Sequence, residues 1–298
     1  MISVCIPVFN YDVRPLVRAL SAQAAELAER VETVCIDDCS TDEFRTLNAE
    51  VGSLCRWVQL EENVGRARIR NLFLQHTEGE WLLLLDNDSI IPDGFLRRYA
   101  ELVAESSGVV VGGRVYDRHS DNAAHHLRYL YGVECESKPA KERAQHPYRS
   151  FMTCNFAVRR EVLEQIRFDE RLAGYGHEDT LFGYRLMQQE VPILHVDNPV
   201  INGDVEENAV FLAKSEEAVR SLVQVYRFLC GDSAFCHTVR LLATYRRLQR
   251  LHLTGLVHWL YRLMRRPLRE HFLEGRSFSI GEFSFYKLGL FIEENKNT

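Results

Sequence analysis

Short β-rich runs alternate with helical patterns through the first half of the chain, the sequence signature of parallel strands joined by crossover helices. Residues 2–8, 31–37, 56–60, 80–86 and 108–115 are expected strands, and Phe151 to Val158 reads as another. Helical patterns run from Val13 to Arg30, from near Val64, and from Pro92 to Glu105, the last with proline at a favoured helix start. An α/β layered domain is expected. Ligands bind such sheets beyond the carboxyl ends of the strands, so the residues that end each strand carry the functional reading. Those ends are polar here: Pro7-Val8-Phe9-Asn10, Asp37-Asp38-Cys39-Ser40-Thr41-Asp42, and Asp86-Asn87-Asp88 after Trp81 to Leu85. Three polar clusters should therefore converge on one sheet edge.

Two common nucleotide-binding devices are excluded. No G-x-G-x-x-G follows the first strand, and no G-x-x-x-x-G-K-[ST] occurs anywhere. With 298 residues, 46% of them hydrophobic, the chain can bury one large core or a core plus a smaller unit. A net charge of -6 creates no field that would draw nucleic acid. The eight cysteines form neither a dense disulfide framework nor a C-x-x-C knuckle, and they are expected as small core hydrophobes in a reducing compartment. The apolar opening Ile2-Ser3-Val4-Cys5-Ile6 lacks a basic flank and is too short for a signal or a span, which predicts a cytoplasmic location.

Asp86 and Asp88 form a D-x-D where backbone pairing should stop, offering two hard oxygen ligands to Mg²⁺ or Mn²⁺. Taken alone, Asp-Asn-Asp-Ser reads equally well as a turn or helix cap. Asp37-Asp38 also follows a strand, and a carboxylate there can accept hydrogen bonds from a base or ribose, whereas turn chemistry accounts for Ser40 to Asp42. Asn63 to Asn71 carries three arginines. On a helix Arg66 and Arg70 share a face while Arg68 points away, so only part of the set can serve one site. Far downstream, the glycine-rich approach Gly174-Tyr175-Gly176-His177 delivers Glu178-Asp179 to the first turn of an amphipathic helix, where the helix dipole favours ionised carboxylates. Such a carboxylate can serve as a general base, or can simply decorate a helix start.

In order and approximate spacing, these segments resemble family 2 glycosyltransferases over roughly residues 1–210. The resemblance implies a GT-A fold, a mixed and mostly parallel sheet flanked by helices, here with a helical extension at the C-terminal end. It implies a catalytic domain over 1–210, with a nucleotide-binding half at 1–110 and an acceptor half at 111–210, and a mostly helical region over 211–298. It further implies inverting transfer of a hexosyl or N-acetylhexosaminyl group from a nucleotide-diphosphate sugar, a UDP-sugar above all, to a glycan or lipid-linked hydroxyl. By position, Asp38 is similar to the residue that contacts the base, with Pro7, Val8 and Asn10 lining that pocket and Arg70 near the base. Asp86 and Asn87 lie toward the donor, Asp88 toward the metal. Asp179 is similar to the catalytic base, with Glu178 beside it against acceptor or sugar. Asn202, in Asp197-Asn198-Pro199-Val200-Ile201-Asn202, stands where many bacterial relatives have a metal-binding histidine. The amide oxygen remains compatible with Mn²⁺ or Mg²⁺. His195, in an apolar run, reads as a core histidine rather than a ligand.

Between Thr238 and His271 arginines are set among Leu, Val, Tyr and Trp259, with Glu270 the sole acid. Such a helix can lie on an anionic membrane surface, or pack on the catalytic domain with its arginines in solvent. Its apolar run is too interrupted to span a bilayer. Residues 133–149, polar and without periodicity, read as a mobile loop. Two other functions compete on the same residues. A phosphatase with Asp86 as nucleophile would need its D-x-D after the first strand, and a silent glycan- or nucleotide-binding protein would keep the fold without turnover.

Overall fold

The computed structural model describes every residue except 173, 276–277 and 297–298. In chain order its elements are β1 (Ile2–Val8), α1 (Arg14–Ala25), β2 (Val31–Asp37), α2 (Asp42–Asn48), β3 (Arg56–Gln59), α3 (Gly65–His76), β4 (Trp81–Leu85), β5 (Ser89–Ile90), α4 (Phe95–Ala104), β6 (Val109–Val111) and β7 (Arg114–Val115). Then come α5 (His126–Tyr131), a π-helical turn (Gly132–Glu136), α6 (Ala140–Arg143), β8 (Asn155–Arg159), α7 (Arg160–Gln165), α8 (Glu178–Gln188), β9 (Ile193–His195) and β10 (Val200–Asn202). The remainder is helical: α9 (Asn208–Phe228), α10 (Ser233–Thr238), α11 (Arg240–Arg250), α12 (Thr254–Glu274) and α13 (Ile280–Lys296).

The chain divides into two compact units. One comprises Met1–Val115, Ser137–Ala173 and Leu181–Asp204, and the other Tyr116–Glu136, Gly174–Thr180 and Val205–Thr298. The first unit holds a seven-stranded sheet in the order β3-β2-β1-β4-β8-β6-β9, parallel except where β8 runs against β4 and β6. This is the mixed, mostly parallel sheet expected from the sequence. Because β2, β1 and β4 are parallel neighbours, their polar carboxyl ends lie side by side.

The uninterrupted apolar run of β4 follows from burial on both sheet faces. Leu83 and Leu85 join Val4, Ile6, Leu16, Val17 and Leu96 on one face, while Leu82 and Leu84 join Val34, Ile36, Phe73, Phe182 and Leu186 on the other. The expected strand over 108–115 is two strands. Gly112 sits where a Cβ would stand 2.4 Å from the Asn155 amide, and Gly113 has φ +91 with a Cβ position 2.8 Å from the Arg143 guanidinium. The chain bends there, and β7 leaves the large sheet to join a second sheet of order β5-β10-β7. The supposed loop at 133–149 is structured in part, at 133–136 in the π-helical turn and at 140–143 in α6. There the Arg143 side chain donates to the carbonyls of Val111, Gly112, Lys138 and Val196, supplying contacts that no periodicity reports.

In the second unit α9, α12 and α13 pack through aromatic residues, with the Phe272 ring 5.3 Å from Phe283 and 5.6 Å from Tyr286. Facing away from that core, Leu256, Trp259 and Leu263 are 53%, 58% and 60% exposed. Their spacing puts them on one stripe of α12. Arg265 and Arg269 of the same helix pair with Glu293 and Glu216, while Arg262 and Arg266 stand exposed. Among the described residues no helix is long and apolar enough to cross a membrane. All eight cysteines are free; four are buried, whereas Cys230 is exposed rather than in the core.

Candidate active site

At the β2 end the turn is built by its own side chains. Asp37, fully buried, accepts from the Ser40 amide at 3.2 Å and from the Ser40 hydroxyl, with Arg45 Nε at 3.4 Å. Asp38 reaches across to the start of α3, where its two oxygens accept from the amides of Val64 at 2.7 Å and Gly65 at 3.1 Å. Burial pushes the Asp38 carboxyl up, more than these amides pull it down, and nearby Asp37 adds to the rise. Asp38 thus serves α3 as an anchor, and each oxygen keeps a further lone pair for a ligand. Asn10, in the left-handed region at φ 46, accepts from the Thr41 amide at 2.9 Å, and its own amide donates to Ser40 Oγ. Pro7 is half-buried, while the Val8 side chain lies in the core at 1% exposure.

Beyond β4, Asp86 is clamped by two guanidiniums. Arg70, only 2% exposed, places Nη2 at 3.1 Å from Oδ1, and Arg114 places Nη2 at 2.9 Å from Oδ2 and 3.6 Å from Asp88 Oδ1. Burial alone would push the Asp86 carboxyl up; the charges of Arg114, Arg70 and Arg66 overcome it and hold the group below the usual carboxylate range. Arg70 therefore works on Asp86, while Arg68 pairs with Glu62 at the surface.

The Asp197-Asn198-Pro199 turn brings β10 to this place. Asn155, fully buried, donates to the carbonyls of Gly113 and Asn198, and Asn198 accepts from Arg98 Nε at 2.7 Å. β10 then runs antiparallel to β5, opposing Asn202 to Ser89, and the Gly203 amide donates to the Asp88 carbonyl at 2.8 Å. The Asn202 side chain is 3% exposed; its Nδ2 donates to the Asp204 carbonyl, leaving Oδ1 buried without a hydrogen-bond partner among the described residues. Ser89 Oγ is likewise buried without one. Orphaned buried oxygens are costly unless something else satisfies them. Beside Asp88, these hard donors suit a divalent ion such as Mn²⁺ or Mg²⁺. No three His, Cys, Asp or Glu side chains gather into a metal cage among the described residues, so such an ion would draw its remaining ligands from diphosphate oxygens and water. His195 accepts from Arg143 at Nδ1 and reaches the Pro147 carbonyl with Nε2; burial first of all depresses it to about 4, so it is a neutral structural residue.

In the second unit, residues 174–177 are held on α9. The Tyr175 amide donates to Glu217, and Ser221 donates to the Tyr175 carbonyl. Gly176 has φ +90 and a Cβ position 2.8 Å from Ala218, so only glycine fits. Glu178 is buried and Asp179 half-buried, both in the first turn of α8, with Asp179 Oδ1 accepting from the Thr180 amide at 2.6 Å.

Residues 3–167 match the model of glycosyl transferase family 2. The chain belongs to that family. Among curated relatives it is 28% identical over 167 residues to the succinoglycan biosynthesis protein ExoO of Rhizobium meliloti, covering 53% of this chain and 48% of that one. It is 26% identical over 148 residues to a teichoic acid poly(glycerol phosphate) polymerase of Staphylococcus epidermidis, covering 48% and 20%. The matches thus span about half or less of these relatives. Among solved structures, a mannosyltransferase of Pyrobaculum calidifontis in complex with GDP-Man and Mn²⁺ aligns with TM-score 0.54 at 18% identity, covering 92% of this chain and 85% of that one. Glucosyl-3-phosphoglycerate synthase of Mycobacterium tuberculosis, in complex with Mn²⁺, UDP and glucosyl-3-phosphoglycerate, aligns with TM-score 0.52 at 19% identity over 75% and 79%. These likenesses establish the GT-A fold.

Sequence reasoning missed Arg114 and Tyr11. Arg114 follows the end of β6, so the rule that singled out Asp38 and Asp86 would have found it had the Gly112-Gly113 break been seen. Tyr11 follows Asn10, and its hydroxyl is pushed up to about 12 by burial and then by Asp88, Asp204 and Asp12. That places it in the acidic field of the D-x-D.

Proposed function

We propose that the chain transfers a hexosyl or N-acetylhexosaminyl group from a UDP-sugar to a hydroxyl of a glycan or lipid-linked acceptor, with inversion, in the synthesis of a cell-surface polysaccharide or glycoconjugate. The observation that carries this reading is the buried, orphaned Asn202 oxygen opposite Ser89, beside the Asp86-Asn87-Asp88 turn of a family 2 chain. The relatives' polysaccharide and teichoic acid roles, and the Mn²⁺ with UDP or GDP-Man in the two structural neighbours, agree with it.

In this reading Asp38, Pro7, Val8 and Asn10 form the nucleotide pocket, Val8 through its backbone. Asp86 and Asn87 orient the donor, and Arg70 fixes Asp86 in its ionised form. Asp88 and Asn202 would hold Mn²⁺ or Mg²⁺, which when bound would offset the charge that builds on the departing diphosphate. Asp179 takes the proton of the acceptor hydroxyl as its oxygen bonds to the anomeric carbon, while the bond to the diphosphate breaks and nucleoside diphosphate leaves. Glu178 orients acceptor or sugar. The exposed stripe of α12, with Arg262 and Arg266, rests on an anionic membrane surface and keeps the enzyme peripheral on the cytoplasmic face.

Thermal unfolding with UDP, with and without Mn²⁺, tests the reading. UDP is expected to stabilise the protein more when Mn²⁺ is present, and Asp88→Ala to abolish the difference. Stabilisation indifferent to both would sink the metal assignment.

A further inference from the structure

The D-x-D already carries a cation. Arg114 Nη2 donates to Asp86 Oδ2 at 2.9 Å and stands 3.6 Å from Asp88 Oδ1, so one nitrogen bonds the first acid and pairs at longer range with the second. Arg70 compensates Asp86 from its other oxygen at 3.1 Å. Two carboxylates thus face two guanidiniums, both largely buried, at 2% and 10% exposure of the side chains. A divalent ion arriving alone meets aspartates whose charge the neighbouring arginines already offset, and must disturb a buried ion pair, which is costly to break. Arriving with a nucleotide diphosphate, it brings the anionic oxygens that a guanidinium binds as well as it binds carboxylate. A cavity of about 230 Å³ adjoins the residue, lined by Arg114 with Gly112, Gly113, Ser137 and Lys138.

We propose that Arg114 is a positioning residue that makes divalent-ion binding at Asp88 conditional on the nucleotide diphosphate, by occupying the two aspartates until the diphosphate draws its guanidinium away. This rests on the reading that Asp88 holds the ion. By linkage, the diphosphate should strengthen Mn²⁺ binding by the same factor as Mn²⁺ strengthens that of the diphosphate.

The test uses the full chain and free Mn²⁺ measured by electron paramagnetic resonance, with no turnover needed. Wild type is expected to bind Mn²⁺ weakly alone and at least about tenfold more tightly with UDP or GDP. Arg114→Gln, checked for its folded spectrum, is expected to bind Mn²⁺ alone about tenfold more tightly than wild type and to lose most of that coupling, whereas Arg114→Lys keeps much of it. Unchanged affinity for Mn²⁺ alone in Arg114→Gln overturns the proposal and leaves the metal assignment standing. Should the glutamine variant not fold, wild type decides: equal Mn²⁺ affinity with and without nucleotide overturns it. Absence of Mn²⁺ binding under every condition overturns both this proposal and the assignment of Asp88.

Discussion

A Cβ at Gly203 would stand 2.6 Å from the Asp88 carbonyl, the same carbonyl that accepts from the Gly203 amide. Alanine there must push β10 away from the D-x-D turn. We expect Gly203→Ala to cost about 1–3 kcal/mol, as overpacked sites do, read as a lower urea midpoint at unchanged slope. It should also weaken stabilisation by Mn²⁺ with UDP, since Asn202 moves with the strand. At Asp179 the expectation concerns turnover instead. Asn keeps the shape and the acceptor oxygen toward Thr180 but cannot take a proton, so Asp179→Asn should lower turnover roughly a hundredfold or more with donor affinity nearly unchanged. Near-normal turnover, or a product that retains the donor's anomeric configuration by NMR, refutes Asp179 as the base of a single displacement.

Among the elements, α12 carries the membrane expectation. Its apolar stripe and exposed arginines should bring the protein down with phosphatidylglycerol vesicles and release it as salt rises, because charge brings the helix to the surface and burial holds it there. Replacing Trp259 and Leu263 with serine should remove most of the pelleted protein; unchanged pelleting would exclude this helix. The legibility of elements depended on their length. β1 and β2 have the bounds that their β-branched runs announce, and α3 begins where the glycine of the Asn63 to Asn71 segment suggests. By contrast β5, β7 and β10 are two or three residues long, too short for any period, and they exist because Asn155 and Asn198 pin the turns around them. Half of the candidate metal site sits on those strands. The sequence could therefore mark Asp86 and Asp88 as chemistry, but neither the Ser89-to-Asn202 pairing nor the reach of Arg114 from a strand that looked continuous with β6.

For the whole molecule, one buried and one half-buried histidine predict the acid response. His195 in one unit and His177 in the other are each depressed to about 4, from an ordinary value of 6.5, and burial is the largest cause in both. Between pH 6.5 and 4 the unfolded chain binds protons that the folded chain refuses, so stability is full above 6.5 and is lost as pH falls toward 4. At His195 the geometry makes the reason explicit. Nδ1 accepts from Arg143 at 2.9 Å, and a proton placed there would turn that hydrogen bond into a contact between two cations. Arg143 in turn holds the carbonyls on which the Gly112-Gly113 bend depends, so the cost spreads to the strands that carry Arg114 and Asn202. The effect should reach a few kcal/mol by pH 4. His195→Gln removes the titrating group, and we expect it to lower stability at pH 7 by about 1–3 kcal/mol while flattening the fall below 6.5. Urea unfolding at half-unit pH steps reads both effects, and a variant that lost stability in parallel with wild type down to pH 4 would exclude His195 as a source of the acid limb.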